Sequence, residues 1–160
     1  MRRRLPIAAA LLALCLAPDV ASADATAFIG RNSAGEDRSV VRGFALSVSL
    51  LVVGFEFEYA STSEDATLLT PSLRTTSGNV FAQTFGLPGV QLYATTGVGM
   101  YRERLGTDQE TAFVLNNGGG AKINIAGPIR ARVDYRIFNL RGNPRHKTVQ
   151  RIYAGVNLRF

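Results

Sequence analysis

The segment 152–160 constrains the fold of this chain more than any other, because its residues alternate strictly between two faces. Ile152, Val156 and Phe160 belong to an apolar face, whereas Tyr153 and Gly155 belong to a face that is polar or small. A period of two is typical of a β-strand whose two sides meet different surroundings. The segment therefore predicts a two-faced strand that reaches an aromatic residue at its end.

Seven further segments have the length and residue content of β-strands. The clearest is 53–60, in which Phe55 and Phe57 alternate with Glu56 and Glu58. After residue 23, no apolar run reaches the roughly 20 residues that a membrane-spanning helix needs. The chain is therefore predicted to be all-β. The predicted strands are 25–30, 43–50, 53–60, 78–85, 91–101, 112–125, 129–137 and 152–160.

The predicted connections alternate between long and short. The short ones, 87–89 and 126–128, contain glycine and proline, which favour turns. The connection near Leu51 contains no residue that specifies a turn. This alternation is typical of membrane β-barrels, which have short turns on one side and long loops on the other. The long, polar connections are 31–39, 61–75, 102–110 and 140–148.

The N-terminal residues have the three parts of a secretory signal peptide. Arg2–Arg4 form a charged start, Leu5–Leu16 form an apolar stretch, and small residues up to Ala23 form a cleavage motif. The single cysteine, Cys15, falls in this leader, so disulfides are not expected in the rest of the chain. We expect residues 1–23 to be a cleaved signal peptide and residues 24–160 to form one β-barrel domain.

Alternation alone does not show which face of the strands points inward. In a soluble barrel or a β-sandwich, the apolar face lies inside and the charges lie in water. Three features favour the reverse: the terminal Phe160, the rhythm of the connections, and aromatic residues such as Phe55 and Tyr135 on the apolar faces. The sequence therefore predicts an eight-stranded antiparallel up-and-down transmembrane β-barrel. The weaker alternative is a soluble periplasmic lipid-binding barrel.

The segments Asn117–Lys122, Gly127–Pro128 and Arg132–Phe138 resemble the late hairpin of a known family. They are similar to small bacterial outer-membrane-protein-A-like barrels, often grouped as porin-family proteins. The resemblance implies an outer-membrane location, a structural or surface-interaction role, contact with lipid and lipopolysaccharide, and insertion by the barrel-assembly machinery. It also implies an assembly signal in the last strand, at Tyr153, Gly155, Leu158 and Phe160.

Nine charged residues point into the lumen if the apolar faces meet lipid. An eight-stranded barrel is only just wide enough for its own side chains, so we expect the charges to pair into a plug. Strands three and seven lie across the ring, which lets Glu56 and Glu58 face the arginines. The alternative is a narrow, anion-leaning pore for small solutes, because basic residues outnumber acidic ones in this set. The nine are Glu56, Glu58, Lys122, Arg130, Arg132, Asp134, Arg136, Arg151 and Arg159.

The sequence contains no motif specific for catalysis, a cofactor or a metal, and we expect none of these. Some eight-stranded barrels are lipid-A hydrolases that use a serine and a histidine, but His146 has no serine close in sequence. Gly118–Gly120 lacks the ending of a phosphate loop. The chain has a net charge of +6, but its basic residues do not cluster with aromatic residues, which argues against nucleic-acid binding. A closed barrel has no free strand edge, so we expect a monomer.

The predicted outer loops are rich in basic residues. Such loops are usually only solvated, but arginine also binds phosphate through paired hydrogen bonds. The binding of lipopolysaccharide phosphates by these loops is therefore a hypothesis. The residues concerned are Arg31, Arg38, Arg102, Arg104, Arg141, Arg145 and Lys147.

Overall fold

The computed structural model describes residues 21–64, 70–84 and 87–160, and these residues form a closed antiparallel sheet. The strands are β1 (Ala21–Ala34), β2 (Asp37–Leu50), β3 (Val53–Thr62), β4 (Ser72–Gln83), β5 (Val90–Leu105), β6 (Asp108–Ala126), β7 (Ile129–Leu140) and β8 (Thr148–Arg159). Each strand pairs with the next in chain order, and β8 pairs with β1. The predicted eight-stranded up-and-down barrel is thereby confirmed.

The described part of the chain contains no helical membrane span. Across residues 21–64, 70–84 and 87–160, no helix is long and apolar enough to cross a membrane. Most of the leader expected at 1–23 lies outside the described residues, as does Phe85 at the end of the fourth expected strand. β1 is described from Ala21, so the expected cleavage point falls within this strand.

The strands extend further than expected at one end of the barrel, which we call the outer end; β1 begins and β8 ends at the opposite, inner end. The long connections expected at 31–39 and 102–110 are wrong, because β1–β2 and β5–β6 keep pairing up to tight turns. Gly35 and Gly106 adopt positive φ angles of 60° and 61° in these turns, a conformation that favours glycine. Antiparallel pairing satisfies the backbone whatever the side chains, so polar residues extend these hairpins. The other outer connections are 63–71 and 141–147.

The inner turn between β2 and β3 is held by contacts from β4. Leu51 has a φ of 54°, which is uncommon for a residue with a side chain. The Gln83 side chain donates a hydrogen bond to the Leu51 carbonyl at 2.9 Å, and the Gln83 amide donates to the Val52 carbonyl at 2.7 Å. These long-range bonds explain how a tight turn forms where the local sequence specifies none.

The two faces of the barrel wall differ sharply in chemistry. On β3, Phe55 and Phe57 are 61% and 45% exposed, whereas Glu56 and Glu58 between them are 5% and 1% exposed. This is the reverse of a water-soluble barrel, in which the interior is apolar, and it matches a barrel that spans a bilayer. The soluble lipid-binding alternative therefore fails on the side-chain distribution. Further exposed apolar residues are Phe44, Leu46, Val48, Val98, Met100, Phe113, Leu115, Ile123, Val133, Ile152 and Val156.

Aromatic rings in the lumen lie against glycines of the neighbouring strand. A Cβ atom on Gly54 would overlap the ring of Phe81 and would lie 2.6 Å from the Val48 carbonyl oxygen. Similarly, a Cβ on Gly43 would lie 2.5 Å from the ring of Phe28. Glycine is therefore required here for close approach of ring and backbone.

Substitution of Gly54 by alanine tests this packing. We expect Gly54→Ala to lower the free energy of unfolding by about 1–3 kcal/mol, because the added methyl group overpacks the lumen against a backbone carbonyl. Gly78→Ala on β4 is the matched control, since a Cβ there meets nothing within 4 Å. Urea unfolding of both variants in detergent micelles measures the difference. Equal midpoints for the two variants would contradict the packing argument.

Candidate functional site

The middle of the lumen is occupied by a cluster of buried charged side chains, which we call the ion network. Its members occupy inward positions of β1, β3, β6, β7 and β8, where the period of two directs every second side chain into the barrel. Every member is at most 5% exposed. The members are Asp24, Glu56, Glu58, Lys122, Arg130, Arg132, Asp134, Arg136 and Arg151.

Glu56 of β3 meets two arginines that project from β7 on the opposite wall. Its carboxylate lies 2.6 Å from an Arg132 nitrogen and 2.6 Å from an Arg136 nitrogen. Asp134 lies between the same two arginines, at 2.9 Å from each. Charge-assisted hydrogen bonds of this kind are the strong ones in proteins. The four side chains therefore brace the two opposite walls of the barrel against each other.

Glu58 organises the neighbouring part of the network. It accepts a hydrogen bond from Arg151 at 2.9 Å and from the Tyr153 hydroxyl at 3.1 Å, and it lies 3.3 Å from Arg136. The Arg151 guanidinium is centred 4.2 Å from the ring centroid of Phe138. Both charges of the Glu58–Arg151 pair thus have partners, as buried charges require.

The sequence analysis missed one member of the ion network, Asp24, and one uncharged partner of it, Tyr93. Asp24 accepts from Lys122 at 2.6 Å and also pairs with Arg130, but the first strand was expected to begin one residue later. Tyr93 accepts from Arg132 at 2.7 Å and donates to Asp134. The available signal for Tyr93 was its position on the face of β5 opposite the apolar residues. It was missed because a phenol carries no charge.

Arg159 does not join the buried ion network. Its side chain is exposed at the inner end of the barrel, where it donates a hydrogen bond to the Ser22 hydroxyl at 3.2 Å. There it lines a polar cavity of about 230 Å³ together with Asp24, Gln91 and Arg130. The cavity is open at the rim, so Arg159 remains in contact with water while the other expected lumen charges are enclosed.

The outer half of the lumen has a different filling, which we call the apolar cluster. The Tyr101 hydroxyl donates to the Arg141 carbonyl at 2.6 Å and so ties the cluster to the connection 141–147. Burial of apolar surface stabilises this part of the barrel in the manner of a soluble core. The members are Leu73, Tyr101, Val114, Phe138, Leu140 and Val149.

His146 lies at the mouth of the barrel and contacts the first outer hairpin. Its Nε2 atom is 2.9 Å from a carboxylate oxygen of Asp37. Among the described residues, no serine hydroxyl is hydrogen-bonded to the His146 ring. In the same ranges, no group of three or more His, Cys, Asp or Glu side chains is arranged to hold a metal ion. The contact therefore serves to fasten the connection 141–147 to β2.

The four residues expected to form an assembly signal divide between the two faces of β8. The Tyr153 ring stacks on Phe28 of β1 with centroids 3.9 Å apart, and a Cβ on Gly155 would lie 2.8 Å from the Phe28 side chain. Leu158 and Phe160 point outward and are exposed. The inward pair thus packs the seam between β8 and β1, while the outward pair is available to lipid or to another protein.

The structure is similar to known eight-stranded outer-membrane barrels. No family model and no curated protein sequence matches the chain. The N-terminal β-barrel domain of Pseudomonas aeruginosa OprF aligns with a TM-score of 0.68 at 18% identity, over 87% of this chain and 97% of that one. Neisserial surface protein A aligns with 0.66 at 15%, over 88% and 97%. Ail, the attachment invasion locus protein of Yersinia pestis, aligns with 0.57 at 17%, over 88% and 99%. At these identities the similarity shows the fold.

Removal of the Glu58 charge tests the ion network. We expect Glu58→Gln to lower the free energy of unfolding by about 3–5 kcal/mol, because Arg136 and Arg151 then lack their shared counter-charge. We expect the charge reversal Glu58→Lys to be worse. Glu36→Gln, at an exposed turn position, is the matched control and should stay within about 0.5 kcal/mol. Urea unfolding measures all three, and a Glu58→Gln midpoint equal to that of the control would refute the network.

Proposed function

We propose that this chain is a bacterial outer-membrane β-barrel with a structural or surface-interaction role and a lumen that does not conduct. The observation that carries the proposal is the filled lumen. The ion network closes its middle, and the apolar cluster fills its outer half. A solute path would have to separate buried ion pairs, and breaking one such pair costs several kcal/mol.

The balance of charge in the lumen favours a plug over an anion-selective pore. In the described part of the chain, the buried charged residues are five bases and four acids. The excess of basic over acidic residues in the lumen is smaller than the sequence predicts, because Asp24 adds a carboxylate and Arg159 lies outside the ion network. The near balance is what mutual pairing needs, whereas an anion-selective path needs unpaired cations facing water.

The outer end offers surface for contact with other molecules. β6 contains 19 residues, although a tilted strand crosses a bilayer with about 9–11. The β5–β6 hairpin therefore stands above the membrane as an ordered projection. Two proteins of the same fold are named a surface protein and an attachment invasion locus protein, and these names support a surface role here.

A catalytic role is less well supported than a surface role. A serine hydrolase needs a serine and a histidine in hydrogen-bond contact beside the substrate. His146 instead contacts Asp37 at 2.9 Å. We therefore propose a surface role for the chain rather than a hydrolytic one.

Closure of the sheet supports a monomeric state, and the exposed end of β8 supports a role in assembly. Because β1 pairs with β8, the described strands leave no edge to recruit a second copy, so we propose a monomer. We propose that the exposed side chains of Leu158 on β8 and of Phe160 just after it contact the barrel-assembly machinery before closure. We propose that they act with Tyr153 and Gly155 as the assembly signal.

Conductance in a planar bilayer tests the proposed role. We expect the refolded protein to be electrically silent in a salt gradient, since the lumen is filled. Heat-dependent mobility on a gel, which reports a folded barrel, is measured on the same sample as a control. Steady anion-selective current steps from a folded sample would replace the proposal with the pore.

Substitution at the end of β8 tests the assembly signal. We expect Phe160→Ala to reduce the amount of folded protein in the outer-membrane fraction several-fold, because the machinery loses an outward aromatic contact. Phe113→Ala is the matched control, since Phe113 is an exposed aromatic on β6. Cell fractionation followed by a gel without boiling measures both variants. Equal folded amounts would remove Phe160 from the signal.

A further inference from the structure

The outward face of the described strands carries charge of one sign only. Within the eight described strands, the outward face carries no Asp or Glu, because the strand carboxylates near the outer end, such as Glu103 and Glu110, occupy inward positions. The outward face does carry arginines, all on β1, β2, β4 and β5, whereas the outward faces of β6, β7 and β8 carry no charge. The outward arginines are Arg31, Arg38, Arg42, Arg74, Arg102 and Arg104.

Strand register brings three of these arginines into one row. Arg42 of β2 pairs with Ser61 of β3, Ser61 pairs with Arg74 of β4, and Arg74 pairs with Arg102 of β5. Neighbouring strands lie about 4.8 Å apart, so the row spans about 15 Å. We call Arg42, Arg74 and Arg102 the arginine row.

The arginine row contains a repulsion that no ion pair among the described residues compensates. Arg74 and Arg102 are direct cross-strand partners with side chains on the same exposed face. Like charges in such a position destabilise a sheet. Among the described residues, neither side chain forms an ion pair. A bound anion between them would turn the repulsion into two favourable contacts.

The surface on the inner-end side of the arginine row indicates which kind of anion the row would bind. The next outward positions are held by Phe44, Tyr59, Thr76 and Met100, which pair in the same order across the four strands. The Phe44 ring is centred 5.7 Å from that of Tyr59. The row thus stands directly above an apolar and aromatic surface, and this arrangement fits a molecule with phosphate above and hydrocarbon below.

We propose that the arginine row binds the phosphate groups of a phosphorylated lipid of the outer leaflet, the lipid A part of lipopolysaccharide, with its acyl chains against the surface below. The proposal rests on the outer-membrane location proposed above. It differs from the loop hypothesis, because Arg42 and Arg74 belong to strands, and because Arg145 turns toward Asp37 at 3.4 Å. The site occupies one side of the barrel, since β6, β7 and β8 lack outward charges.

Binding of purified lipid A to the full barrel in detergent tests the proposal, with native mass spectrometry as the measurement. Arg74→Gln combined with Arg102→Gln removes two charges from the row. Arg141→Gln combined with Lys147→Gln removes two charges from the exposed connection 141–147, where the loop hypothesis places phosphate binding, and is the matched control that separates the two sites. We expect the row variant to lose about tenfold or more in affinity for bisphosphorylated lipid A, and the control to lose less than about twofold. Lipid A without phosphate should bind weakly to all three proteins.

A second measurement separates lost binding from lost folding. Without lipid A, the row variant should unfold at a temperature equal to or above that of the parent, because the Arg74–Arg102 repulsion is gone. Added lipid A should raise the unfolding temperature of the parent and the control but not of the row variant. Neither lipid A binding nor the unfolding temperature depends on conductance, which tests the proposed function. Failure of this proposal is therefore distinguishable from failure of the proposed function.

Three outcomes would overturn the proposal. The first is equal lipid A affinity in the row variant and the control. The second is equal binding of lipid A with and without phosphate. The third is row-dependent binding of a heparin oligosaccharide with no binding of lipid A, which would assign the row to a soluble sulfated polymer.

Discussion

The pairing of β1 with β8 is the contact on which the rest of the structure depends. In hydrocarbon, each unpaired backbone amide or carbonyl costs several kcal/mol, so an open sheet is not a stable membrane structure. The register from Asp24–Arg159 to Ser33–Gln150 removes both edges at once. Closure with eight strands also fixes the width of the lumen, and every inward side chain must then be packed inside a space of that size.

The ion network follows from this width. Charged side chains in a narrow, closed lumen lose most of their water, and only mutual pairing offsets that loss. Glu56 and Glu58 on β3 reach partners on β7 and β8 because the ring is small enough for opposite walls to meet. The same pairs join strands far apart in sequence, so they fix the relative height of the walls as well as neutralise charge.

The sequence predicts the number of strands and the direction of their side chains, because a period of two reports directly on alternating surroundings. It predicts Glu58 and Arg151 inside the lumen for the same reason. The ends of strands are harder to predict. Residues 102–104 are charged and resemble a loop, yet β5 continues through them because β6 supplies backbone partners.

Features that depend on distant strands are invisible in the local sequence. The positive φ of Leu51 is supported by Gln83, which lies on another strand. Asp24 was missed because an error of one residue in a strand boundary removes it from the pattern. The arginine row requires the register of four strands, and nothing near Arg42 indicates that Arg74 and Arg102 lie alongside it.

The two fillings of the lumen respond to temperature in the same direction. Apolar burial, which holds Leu73, Val114 and Phe138 together, weakens on cooling. The cost of stripping water from ions falls on warming, so the pairs around Glu58 hold best when the barrel is hot. Both fillings therefore loosen on cooling, and neither compensates for the other in the cold. A barrel filled in this way depends in the cold on the backbone pairing of its closed sheet, which joins β1 to β8 whatever fills the lumen.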